Sequence, residues 1–595
     1  MMNSGTRWGV SIALLLFIVI FLPLLAVLLN AVLPGLFFGE MRFQGFGLLG
    51  EMFRRPLWRQ SFTNSLWLGL GTALLGTIFG ACLAMVRARW NFATGRVLDA
   101  GVWLLLITPS FMLAQGWVLF AGADGIASRS LGMSWMTSLL FQPTGLMMIM
   151  ALSKFPLAYL TVLASAEWNV SQYGHAARLN GAGPWTVWRT VELPLSAPSI
   201  IAGATLVFID TVGDFGLPAA LSTVYRFPTL TYSIYSAIYQ SPVRFDMAGV
   251  LAFYLVALLG LAMFVLLISL RKSRFDFLNA KAIKTVKVRP NRTYVLNAIT
   301  IVFLAISIGI PIGSSLCVSI MRRMGDGFAF RNLTLDHYLS LFSKTATDYT
   351  QLSFIEGMMH SLAIAAVAAV LSMITGFIVA YVLTFTEFPM KGGLQLFSIV
   401  SLAVPGIVMG IGYIFVWNQK WLEYVNLHLY GTPALLVIAV IAGAIPYAVR
   451  VQLGAFGTIS SSVLNAAAVQ GAGTLGRMVH IVLPLVRRSL LLAVLAAFGT
   501  SVFDLALASM LQPANYILMP VVIDQAFEFG RYGYATAATI LSGSILLLLI
   551  VLIQFAGEAA FRWSDRRQQK SREMKNIPAE SHRRSHGGSP YEFNS

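Results

Sequence analysis

The sequence predicts an all-α, polytopic membrane protein with about twelve transmembrane helices in two parallel six-helix repeats, and three observations predict it. Of 595 residues, 57% are hydrophobic and 11% charged, with mean hydropathy +0.75; a soluble domain carries about 25% charged residues. The apolar residues gather into runs near the ~20 residues a helix needs to cross hydrocarbon, not into the ~10-residue alternating strands of a barrel. Residues 61–250 recur in the same order at 357–537, the mark of a duplication.

In chain order the apolar runs fall at about 9–33, 65–86, 101–123, 143–165, 197–217 and 247–270, then 295–320, 359–385, 394–417, 433–455, 485–510 and 535–556. The first follows Arg7 and lacks a small-residue cleavage site, so it reads as an uncleaved spanning helix. With a cytoplasmic N-terminus, the even-numbered exits carry Arg87, Arg89 and Arg96, then Arg178 and Arg189, the segment 271–292, Arg477, Arg487 and Arg488, and 562–570, as the positive-inside rule requires. The long loops 34–60 and 321–359 also hold arginines, but acids are mixed in and long loops weigh little in that rule. The net charge of +17 therefore belongs to loops at the membrane surface, and no nucleic-acid partner is expected. Cys82 and Cys317, the two cysteines, both lie in apolar segments, which leaves no disulfide framework or cysteine metal site.

The repeat is legible residue by residue. At an offset of 296, Asn64-Ser65 aligns with His360-Ser361, Gly80 and Ala84 with Gly376 and Ala380, and Pro109 and Gly116 with Pro405 and Gly412. At an offset of 290, Pro156 aligns with Pro446, Ala176-Ala177 with Ala466-Ala467, Pro194 with Pro484, and Asp214 with Asp504. Six spans per half and a basic linker bring both halves in from the same side, so the repeat axis runs along the membrane normal and a pathway between the halves is expected. The organisation that follows is a first half at 1–270, a linker at 271–292 with eight basic residues against Asp276, a second half at 293–560, and a polar tail at 561–595 expected to be disordered.

The loop after the fourth span contains His175, Ala176, Ala177, Gly181 and Gly183 and continues to Pro194; its counterpart after the tenth contains Asn465, Ala466, Ala467, Gly471 and Gly473 and continues to Pro484. Both share Ala-Ala, a glycine four residues later and a proline thirteen beyond. The alanines give a short helix with a smooth face, the Gly-x-Gly ends it, and the proline starts the next membrane helix without needing its N–H. Such a helix is suited to docking.

This arrangement resembles the EAA motif of permease subunits of binding-protein-dependent ABC importers, of the fused type in which one chain holds two permease domains (a type I ABC importer permease fold). The resemblance implies a multi-pass protein of the bacterial inner membrane with cytoplasmic termini, two copies of an ABC ATPase subunit and a periplasmic substrate-binding protein as partners, and ATP and Mg bound by the ATPase. It assigns the ATPase-coupling role to His175, Ala176, Ala177, Gly181, Gly183, Asn465, Ala466, Ala467, Gly471 and Gly473. The acidic position of the motif is His175 in one half and Asn465 in the other. No Gly-x4-Gly-Lys-Ser/Thr loop occurs in the chain, so ATP would be hydrolysed elsewhere, and no catalytic or metal constellation is found. An ion-driven secondary transporter also offers parallel six-helix halves; the doubled docking loop separates the two.

Within the membrane, Gly76 and Gly80 suggest close helix packing, and Pro109 and Pro405 a kink in the third span of each half. Lys154 lies ~16 Å from the cytoplasmic end of the fourth span and Asp210 ~20 Å along the fifth at 1.5 Å per residue, so an ion pair is expected. Their counterparts, Ala444 and Thr500, lack charge together. Asp214 and Asp504, at the outer ends of the fifth and eleventh spans, read either as a gate or as carboxylates capping a broken helix. The stretch Gly213-Asp214-Phe215-Gly216-Leu217-Pro218 resembles the Asp-Phe-Gly segment of the ferric-iron group, which makes ferric iron the expected solute. Organophosphonates such as 2-aminoethylphosphonate, thiamine and sugar phosphates are the alternatives within that group.

Overall fold

A computed structural model describes residues 4–35, 46–169, 173–225, 227–272, 293–343, 353–389, 391–400 and 403–575. Among them the regular structure is helical, apart from isolated bridges such as that of Met321 to Leu333. Ten continuous helices are long and apolar enough to span: Gly9–Val32, Pro56–Arg89, Pro143–Ala166, Pro184–Gly213, Phe245–Ser269, Thr293–Ser319, Phe354–Phe385, Pro433–Phe456, Thr474–Val502 and Tyr532–Ser564. These ten, counted among the described residues, leave two of the expected twelve: the third span of the first half is the bent pair Gly95–Ile107 and Ser110–Arg129, and that of the second half includes Gly406–Trp417, too short to span alone.

The break is sharper than a kink. Gly95–Ile107 ends at Thr108 in an extended conformation, and the next helix, starting at Ser110, leaves at 104°. Proline sterically bars the preceding residue from the α region, so Thr108 must leave the helix before Pro109. In the second half Pro405 is the extended N-cap of Gly406–Trp417; residues 401–402, between it and Lys391–Val400, lie outside the described residues.

Four other prolines widen helices without breaking them. Single π-turns at Phe17–Phe21, Trp188–Glu192, Ala305–Gly309 and Met478–Val482 each stop two residues before Pro23, Pro194, Pro311 or Pro484. A proline within a helix lacks its N–H and its ring crowds the carbonyl four residues back; a π-turn makes room. The fifth and eleventh spans therefore begin at Pro184 and Thr474, one loop earlier than the sequence suggests, and Pro194 and Pro484 lie inside them. At Pro23 the orphaned carbonyl is that of Val19, and the Tyr413 hydroxyl donates to it at 2.8 Å.

That bond crosses between the sequence halves, and it belongs to a larger exchange. The first span packs on Gly406–Trp417 of the second half, while Ile310–Ser319 of the seventh packs on Ser110–Ala121 of the first. Within each half the second, fourth and fifth spans form the core; Gly80 lets Pro56–Arg89 approach so closely that a Cβ would stand 2.7 Å from the Phe155 carbonyl oxygen. The glycines singled out in the sequence are packing positions.

Two short helices per half, Gly216–Tyr225 and Leu230–Tyr239, then Leu505–Leu511 and Met519–Glu528, follow the fifth and eleventh spans. The Asn64-Ser65 and His360-Ser361 pairs hold them: Ser65 Oγ accepts from the Leu230 N–H at 2.7 Å and Ser361 Oγ from the Met519 N–H at 2.9 Å. The last helix continues as Tyr532–Lys575, and the part from Ile545 forms a unit of its own. Residues 561–575 are thus helical, contrary to the expected disorder; 576–595 and most of the linker, 273–292, lie outside the described residues.

Candidate coupling helices and translocation pathway

The two motif loops fold alike. In the first, His175–Leu179 is helical and closes with Gly181 at φ +83°, its N–H donating to the Arg178 carbonyl at 2.9 Å and the Ala182 N–H to the Ala177 carbonyl at 3.2 Å. In the second, Ser461–Val469 closes with Gly471 at φ +84°, and the same two bonds run from Gly471 to Ala468 at 3.0 Å and from Ala472 to Ala467 at 3.0 Å. This double bond pattern is the Schellman closure, which needs a residue in the left-handed region and so a glycine. The Ala-Ala-x3-Gly spacing encodes it. Gly183 and Gly473 precede the next helices as extended caps, and Ala176, Asn465 and Ala466 are exposed.

Sequence reasoning stressed the smooth alanine face and missed the apolar side chains beside it. Leu179 and its counterpart Val469 are each 89% exposed, and the paired positions Trp185 and Leu475 are exposed as well. Exposed apolar side chains thus recur at equivalent positions of the two halves. The signal was present in the same alignment at an offset of 290.

The halves anchor this helix differently. In the first, the buried Glu192 forms an ion pair with Arg89 at the end of the second span and lies 3.9 Å from Arg178 on the motif helix. At the equivalent places the second half has Phe385, Val482 and Ala468, and its anchor is an apolar cluster of Phe377, Tyr381, Phe456, Leu464 and Met478.

Deeper in the bundle, Lys154 Nζ lies 2.6 Å from Asp210, the partner expected from depth, and also 2.8 Å from Asp214. Asp214 is 5% exposed, accepts from Ser110 Oγ at 2.8 Å and caps the Leu217 N–H at 3.2 Å. The first-half carboxylate expected at a gate is thus part of an ion triad. Asp504 repeats the cap, accepting from the Leu507 N–H at 3.0 Å, but Gly406 stands where Ser110 would be and Ala444 where Lys154 would be. Among the described residues no cation pairs with it. Instead it lines a cavity of about 180 Å³ with Ala444, Tyr447, Thr500, Ser501 and Ile20. Tyr447 lies within electrostatic reach of Lys154 and Asp210 as well as Asp504, and Gly213 stands against Pro405 across the halves.

Beyond the spans, Leu230–Tyr239 and Met519–Glu528 bring Tyr235 near Asp524 and Glu528; burial and those carboxylates push the Tyr235 hydroxyl up to about 12. Burial, then the Glu528 charge, pushes Asp524 up to about 7.

The family described as "Binding-protein-dependent transport system inner membrane component" matches residues 76–276 and 372–570. The chain is 23% identical over 557 residues to the ferric transport system permease protein FbpB of Actinobacillus pleuropneumoniae, covering 91% of this chain and 76% of that protein. It is 24% identical over 444 residues to the putative ferric transport system permease protein FbpB 1 of Haemophilus influenzae, covering 73% and 67%. It is 31% identical over 217 residues to the molybdenum transport system permease protein ModB of Escherichia coli, covering 36% of this chain and 92% of that one.

Proposed function

The chain belongs to the family of binding-protein-dependent transport system inner membrane components and carries the domain twice, and on that premise we propose that it is the complete pore of an ATP-driven importer for ferric iron. The observation that carries the coupling mechanism is the pair of Schellman-closed helices with Leu179 and Val469 exposed beside their alanines. Each helix seats in one of two ATPase subunits, with the N-terminus and both helices on the cytoplasmic side. The Arg89–Glu192 pair in one half and the Phe377–Met478 cluster in the other transmit its movement to the spans.

Charge favours a cationic solute. Three carboxylates, Asp210, Asp214 and Asp504, stand in this region against Lys154 and Arg450, Asp504 lines the cavity, and an excess of one sign of charge concentrates the opposite ion. The relatives matched over most of the chain carry ferric transport in their names. Vesicles holding the chain with its ATPase and binding protein should take up 55Fe in an ATP-dependent manner. ATP-dependent uptake of an anion, with none of iron, would refute the iron assignment.

A further inference from the structure

The duplication gives this protein an internal comparison: what one half holds at a position can be read against what the other half leaves open. Around the fifth span Lys154, Asp210 and Asp214 form a closed ion triad. Around the eleventh span the same three positions are Ala444, Thr500 and Asp504, and all three line the cavity of about 180 Å³. The open volume begins where the lysine side chain has been cut back to a methyl group, and Asp504 keeps the carboxylate without a cation. Three of its lining residues, Thr500, Ser501 and Tyr447, carry hydroxyls. Thr500 uses its hydrogen on the Ala496 carbonyl at 3.0 Å, so the oxygen's lone pairs stay available.

We propose that this cavity is a cation subsite of the pathway, in which a transported cation takes, beside Asp504, the place that the Lys154 ammonium holds beside Asp214. This deepens the importer reading and rests on it. One carboxylate with neutral oxygens suits a hard cation in transit. Among the described residues no three His, Cys, Asp or Glu side chains converge into a cage that would retain it. The lysine in the first half then has a purpose: it fills the equivalent place permanently, so that the path presents one such station and not two. The cavity is wide enough for an ion with part of its hydration shell, since a water needs only about 10–15 Å³ of such space.

Two substitutions test this in the whole importer reconstituted in vesicles with its ATPase and binding protein, using 55Fe as the probe. Ala444→Lys copies the first half and delivers an ammonium to Asp504; it should lower uptake at least tenfold while the melting temperature stays the same or rises. Asp504→Asn keeps the shape and the cap to Leu507 but removes the charge, and should lower uptake at least tenfold. Uptake within twofold of the unmodified protein in Ala444→Lys overturns the subsite, whatever Asp504→Asn does to folding. If the unmodified importer takes up an organic amine or another metal ion and not iron, the iron reading fails alone. The subsite then stands if Ala444→Lys blocks that uptake and falls if it does not. An anionic solute overturns both.

Discussion

Gly116 lies against the carbonyl of Pro311 so closely that a Cβ there would stand 2.2 Å from the oxygen. The repeat reproduces the contact: a Cβ on Gly412 would stand 2.5 Å from the Pro23 carbonyl oxygen. Each glycine belongs to one half and each proline to the first span of the other, so these two backbone contacts seat the exchanged helices. Gly116→Ala and Gly412→Ala should each destabilise the purified protein by about 1–3 kcal/mol, the usual cost of overpacking. Gly313→Ala, inside the helix Ile310–Ser319 where nothing lies within 4 Å, should cost nothing and stabilise by up to about 1 kcal/mol, since alanine is the better helix former. Thermal unfolding in detergent compares the three; equal stabilities would contradict the seating role.

At the motif helices, Gly181→Arg and Gly471→Arg force a side chain into the left-handed region, at about 1–2 kcal/mol, and place a charge on the docking face. Leu179→Asp and Val469→Asp leave the Schellman closure intact and remove only the apolar contact. All four should insert normally yet lose ATPase co-purification, the aspartates without the backbone strain. Undiminished ATPase binding in the aspartate variants would remove Leu179 and Val469 from the interface.

For the ion triad, Lys154→Ala strands Asp210 and Asp214 and should cost about 3–5 kcal/mol, as breaking a buried pair does. Adding Asp210→Thr copies two of the three second-half positions and leaves Asp214 with its cap and Ser110, much as Asp504 stands with its cap alone. The double variant should recover only the smaller part of the loss, because Asp210 is 47% exposed and Asp214, 5% exposed, stays without its cation, and the coupling between the two changes can be taken from a double-mutant cycle. Strict additivity of the two changes would show that Lys154 and Asp210 do not interact.

The raised Asp524 makes stability depend on pH. Because folding lifts its pKa from 3.8 to about 7, the fold favours the protonated form. Its contribution is fully present below pH 4 and is lost as pH rises through 7. Asp524→Asn should flatten that part of the stability curve between pH 4 and 7 and leave the chain more stable than the unmodified protein at pH 8. Parallel curves for the two proteins would exclude this source.

Much of the architecture was written in the sequence because hydrophobic length and duplication are local, countable properties. Ala-Ala-x3-Gly fixed the closure of the two motif helices, since a left-handed closure needs glycine at one position. The depth of Lys154 and Asp210 fixed their pairing, since a bare ammonium in hydrocarbon is too costly to leave alone. The sequence could not say whether Pro109 bends or breaks its span and whether Pro194 starts its helix or sits inside it. The same ring chemistry permits a break after an extended Thr108 and a π-turn before Leu193, and neighbouring packing selects between them. Asp214 and Asp504 looked alike along the chain. Only the tertiary structure separated them, by bringing the lysine of an adjacent helix to one carboxylate and leaving a cavity beside the other. The exchange of first spans between halves was equally invisible, because Gly116 and Pro311, or Gly412 and Pro23, meet only when long-range contacts close.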